Sequence, residues 1–94
     1  MQVKNIVAEC GLTYNHIYLL DEEGQSYEYS FFSADSLINT LFCEAQNNFS
    51  LEKISLIGAT EYTGQVKEKL LQKLENFYGK KTSIPEIELI EKFN

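Results

Sequence analysis

Over the first thirty residues apolar and polar positions alternate with a period near two, and the spacing then shifts to three and four. In VKNIVAEC, residues 3–10, Ile6, Ala8 and Cys10 fall on one face and Val3, Val7 and Glu9 on the other. Apolar residues on both faces predict a central strand, which Gly11 ends. NHIYLLD, residues 15–21, keeps the β pattern and runs into Asp21, Glu22, Glu23 and Gly24. A short polar turn closing on glycine predicts a hairpin with a solvated acidic tip. QSYEYSFF alternates most cleanly, with Tyr27, Tyr29 and Phe31 opposing Ser26, Glu28 and Ser30, so one face of that strand is expected to be covered and the other wet. The three strands are read as an antiparallel meander.

From Ser33 onward the apolar positions are Ala34, Leu37, Ile38, Leu41, Phe42, Ala45 and Phe49, one helical stripe. Ser33 is placed to cap that helix, Asp35 lies near the positive end of its dipole, and Asn47 and Asn48 are natural terminators. KISLI, residues 53–57, has the length of a strand and ends on Gly58. A second helix is predicted over Thr63 to Tyr78, with Val66, Leu70, Leu74 and Phe77 as its stripe and Leu71 and Tyr78 widening it. Gly79 suits the position after its C-terminus, and Lys80 and Lys81 suit the negative end of its dipole. In IPEIELIEKF, Pro85 fits the start of an edge strand. Ile87 and Leu89 alternate with Glu86 and Glu88, and the acids Glu86, Glu88 and Glu91 are read as its wet side.

The predicted order is β-β-β-α-β-α-β in one α/β domain spanning residues 1–94. Right-handed crossovers constrain its assembly. With the hairpin strands on one side of the first strand and the last two on the other, a five-stranded mixed sheet of order 3-2-1-4-5 results, with both helices on one face. Nothing remains to cover the other face. The series Tyr14, Tyr18, Tyr27, Tyr29, Phe31 and Phe32 then divides between core packing and exposed anchors. Tyr18, Tyr27 and Tyr29 are the candidate interface residues, because tyrosine offers apolar area at low rotamer entropy.

Charge narrows the partners. Fourteen acidic residues face eight lysines, the net charge is -6, and arginine is absent. Arginine is the usual bidentate reader of phosphate and guanine, so nucleic-acid binding is not expected. No run of about 18 apolar residues is present, and MQVKNIVAEC lacks the pattern of a signal peptide, so a cytoplasmic protein without membrane association is expected. Cys10 and Cys43 lie in apolar surroundings without metal-ligand spacing and are read as buried thiols. The lysine-only, Asn- and Ile-rich composition fits a small phage or mobile-element accessory protein.

The stretch GATEYTGQV, Gly58 to Val66, looks like a phosphate loop and fails as one. The Walker pattern needs a second glycine five residues after the first, then Lys and Ser or Thr. Here Gly64 comes one residue late, Gln65 and Val66 follow, and Glu61 adds a repelling charge. The stretch is read as a strand-to-helix turn with Thr60 or Thr63 as cap. His16, the sole histidine, is read as a surface position of a strand or hairpin; no Ser/His/Asp arrangement and no metal set assembles around it. No cofactor is expected.

The element order resembles the ribonuclease H-like fold, shared by ribonuclease H, Holliday-junction resolvases and each half of the actin and sugar-kinase ATPases. The likeness spans the whole chain and lies in topology. It implies a metal-holding carboxylate on the first strand and, in the resolvase branch, a second one after the fourth strand. Glu9 and Glu61 are the matching positions. The family's last acidic residues lie on a helix after the fifth strand, and the chain stops at Asn94. The ATPases use an Asp-Gly turn where Glu9, Cys10 and Gly11 stand here. The expectation is a degenerate, non-catalytic member acting through protein-protein contact with a basic partner or as a homodimer packed through the uncovered sheet face. The alternative is a metal-dependent nuclease of resolvase type, with Glu9 and Glu61 completed by another chain.

Overall fold

The computed structural model describes residues 3–48, 50–79 and 84–92. Its elements follow the predicted order: β1 (Val3–Glu9), β2 (Asn15–Asp21), β3 (Ser26–Phe31), α1 (Ala34–Asn47), β4 (Lys53–Gly58), α2 (Thr60–Tyr78) and β5 (Glu86–Glu91). The five strands form one sheet of order β3-β2-β1-β4-β5. β1 is antiparallel to β2 and parallel to β4, β2 is antiparallel to β3, and β4 is parallel to β5.

One side of the sheet holds the core. Ile6, Ala8, Ile17, Leu19, Ile54, Leu56 and Ile87 share a face by register and join Leu37, Leu41, Val66, Leu70 and Leu74 of the helices in one buried cluster. Both helices therefore lie on the same face, and the molecule is flat, 33 × 32 × 20 Å. Among the described residues, no element lies on the opposite face.

The helix ends follow local chemistry. Ser33 Oγ accepts from Ser36 N at 3.2 Å, satisfying an otherwise unpaired donor at the start of α1. Asn48 closes it: its Nδ2 donates to Glu44 O at 2.7 Å, and its Oδ1 accepts from Val3 N at 3.2 Å, tying the start of β1 to the end of α1. α2 begins at Thr60 instead of Thr63, and neither threonine caps it. Ala59 is the cap, without a side-chain bond, and Thr63 Oγ1 turns back to Ala59 O at 3.4 Å. The earlier start follows from Gly58, whose φ of +149° turns the chain directly out of β4.

Several side chains depart from the sequence pattern. Val3 is fully buried, not opposite Ile6, because a register shift between Val3 and Ile6 rotates the start of β1. Cys43 is exposed, because two residues along a helix from Leu41 it points away from the stripe; only Cys10 is buried. Phe77, expected in the α2 stripe, is exposed and meets Phe42 edge-on at 5.7 Å between centroids. Glu91 pairs across from Gly58, on the opposite face to Glu86 and Glu88. Phe49, Lys80 and Lys81 lie outside the described residues.

Candidate functional site

Two regions gather polar and aromatic side chains: the uncovered sheet face, and a cleft at the sheet end where β1 and β4 finish side by side.

The uncovered face is fixed by the strand registers. Glu9 stands across from His16, Val7 from Tyr18, and Tyr18 from Glu28. Instead of a bare tyrosine patch, this face carries a bonded polar lattice. Tyr18 donates its hydroxyl to Glu9 Oε1 at 2.7 Å, and Lys92 Nζ lies 3.7 Å from Glu9 Oε2. The hydrogen bond to Glu9, then some loss of solvation and the Glu9 charge, pushes the Tyr18 phenol up to about 12. Lys53 Nζ meets Glu88 Oε2 at 3.0 Å, and that bond raises the lysine above its ordinary value.

His16 is buried, not on the surface, because Tyr14 stacks against it at 5.7 Å and Tyr18 tilts over it at 4.3 Å between ring centroids. Its Nε2 lies 2.9 Å from Glu28 Oε1, while Nδ1 lies 2.6 Å from Ser30 Oγ and 2.9 Å from Tyr14 Oη. Both ring nitrogens are thus within hydrogen-bond reach of partners. The order hydroxyl, imidazole, carboxylate is that of a hydrolase relay. Here Ser30 is the penultimate residue of the edge strand β3, Tyr14 competes for the same nitrogen, and the trio fastens β2 to β3. Sequence reading missed it because Ser30 and Glu28 become neighbours of His16 only once β2 and β3 pair; the signal was their spacing of two on the wet side of an antiparallel partner.

The three tyrosines singled out from the sequence separate. Tyr18 belongs to the uncovered face. Tyr27 and Tyr29 pair with Leu19 and Ile17 and so point to the helix side, where Tyr27 packs on the core and Tyr29, at the sheet edge, stays 40% exposed.

The cleft, of about 320 Å³, is lined by residues following β1 (Cys10, Gly11, Leu12, Tyr14), by Gly58, Ala59 and Tyr62 at the start of α2, and by Glu9, Ile57 and Lys92. It sits where the chain leaves β1 toward one edge and β4 toward the other, the place where α/β sheets bind ligands. Glu9 reaches it with its carboxylate engaged by Tyr18 and Lys92. Glu61, exposed on the first turn of α2, does not line it. Among the described residues no three His, Cys, Asp or Glu side chains gather to hold a metal ion. Burial pushes the Cys10 thiol up to about 12, which makes it a poor nucleophile. Beneath the cleft, fully buried Asn15 accepts from Gly11 N at 3.2 Å and holds the loop after β1, while its Nδ2 meets no acceptor among the described residues.

Among the described residues, no helix is long and apolar enough to cross a membrane. A scan against protein-family models and a search of the curated proteins find no match to this chain.

Proposed function

We propose that this chain is a non-catalytic member of the ribonuclease H-like fold that binds a basic protein surface through its uncovered sheet face. Its element order and 3-2-1-4-5 strand order support the resemblance. One observation carries the functional reading: among the described residues all five strands are covered on one side only, and the free side mixes apolar contact area with carboxylates. Val7, Tyr18, Leu20 and Ile57 supply the former; Glu28, Glu86 and Glu88 supply the latter. Contiguous, partly apolar surface left open on a small domain is the usual mark of a contact site. A net charge of -6 steers it toward a cationic partner and away from nucleic acid.

A photo-crosslinking residue at Leu20, which is 61% exposed, tests the reading against the same residue at Gln72 on the outer side of α2. Capture of one discrete partner from Leu20 and not from Gln72, lost in Glu28→Lys, is the expected result. Equal capture from both positions overturns it. The metal-dependent alternative requires Glu9 to leave Tyr18 and Lys92. Titration with Mn²⁺ that broadens the NMR signals of Glu9 and Glu61 together, with cleavage of branched DNA, would replace the present reading.

A further inference from the structure

The two edges of the sheet are built differently. β5 follows Pro85 and carries three glutamates, features that discourage pairing with another chain. β3 has no proline, no lysine and no shift of register, and each of its six residues is exposed or half-buried. The bonds Asp21 N to Gln25 O at 3.0 Å and Gly24 N to Asp21 O at 3.1 Å set its phase. Tyr27, Tyr29 and Phe31 turn their backbone groups toward β2, so those of Ser26, Glu28 and Ser30 point outward. Among the described residues no backbone bond takes up this outer row.

What can occupy such an edge depends on the register it allows. Two copies related by a two-fold axis through the sheet place residues of like parity opposite one another. Centred on Glu28, the pairing would set two carboxylates face to face, which is destabilising. Centred on Tyr29, it sets Tyr29 against Tyr29 of the second copy, Tyr27 against Phe31, and Glu28 against Ser30. Aromatic side chains then meet on the helix side, and carboxylates meet hydroxyls on the other. Phe32, 93% exposed just past the strand, comes opposite Ser26. The outward groups of Glu28 and Ser30 become each other's partners.

We propose that β3 is a self-pairing edge: two copies of this chain join antiparallel through residues 26–31, centred on Tyr29, into one sheet of twice the five strands. The inference goes beyond partner binding and uses a different surface. It leaves the uncovered face free and makes the faces of two copies continuous. Because each copy carries a charge of -6, association strengthens as salt screens the repulsion.

Sedimentation equilibrium of the full chain up to millimolar concentration in 0.5 M salt tests it, with a mass near twice the 10.8 kDa of one chain expected. In a Cys43→Ser background, mild oxidation of Tyr29→Cys is expected to yield a disulfide-linked dimer and Glu28→Cys is not. Glu28→Pro removes an outward N–H without touching the bonds to β2 and is expected to return the monomer, while Glu28→Ala stays dimeric. A monomer under all conditions overturns the proposal. So does crosslinking of Glu28→Cys in place of Tyr29→Cys, or a dimer indifferent to Glu28→Pro.

Discussion

Tyr18 and Glu9 stand on adjacent strands of the uncovered face, and the phenol donates to the carboxylate at 2.7 Å. The bond joins the most central strand of the sheet to its hairpin neighbour and occupies the carboxylate that a metal-dependent mechanism would need. Its signature is a tyrosine reluctant to ionise. A raised folded-state value means that the contribution to stability is fully present below the ordinary tyrosine value near 10 and is lost as pH rises through about 12. Ultraviolet titration is expected to show one of the six tyrosines ionising late. Glu9→Gln brings it back toward the others; an unchanged titration curve would show that Glu9 is not the cause.

The two cysteines are expected to react at very different rates. Cys43 is exposed on α1, whereas Cys10 is buried with its thiol held protonated. A chromogenic disulfide reagent at pH 8 should titrate one thiol in the native protein and the second only after denaturant is added. Cys43→Ser should abolish the fast phase.

Gly58 and Gly64, which bracket the phosphate-loop look-alike, call for opposite outcomes. A Cβ at Gly58 would run into the carbonyl oxygen of Cys10, and the residue sits at φ +149°. Gly58→Ala is expected to destabilise by about 2–3 kcal/mol. Gly64 lies within α2 with open space where a Cβ would go, so Gly64→Ala is expected to stabilise by about 0.5–1 kcal/mol. Urea denaturation of both variants reads the difference directly.

Asn48 couples the first strand to the first helix, and its replacement tests that link. It is buried, and its side chain serves both Val3 N and Glu44 O. Asn48→Ala leaves the buried Val3 N–H without its acceptor, while the Glu44 carbonyl keeps the backbone N–H of residue 48, at a cost of about 2 kcal/mol in urea denaturation. Faster amide exchange at Val3 distinguishes this from a general loss of packing.

The sequence by itself determined the elements and the core. Alternation in QSYEYSF and the spacing of Leu37, Leu41, Val66, Leu70 and Leu74 record which side of each element is apolar, and right-handed crossovers leave few ways to stack such elements. Only the tertiary structure decided which residues meet. A period of two places Tyr18 and Tyr29 on definite faces of their own strands, but the register between strands assigns Tyr18 to the uncovered face and Tyr29 to the helix side at an edge. The same register encloses His16 between two rings with Glu28 and Ser30 in reach, and binds Glu9 to Tyr18 while Glu61 stays outside the cleft. Periodicity is a property of one segment at a time, whereas a site is made by pairing between segments far apart along the chain.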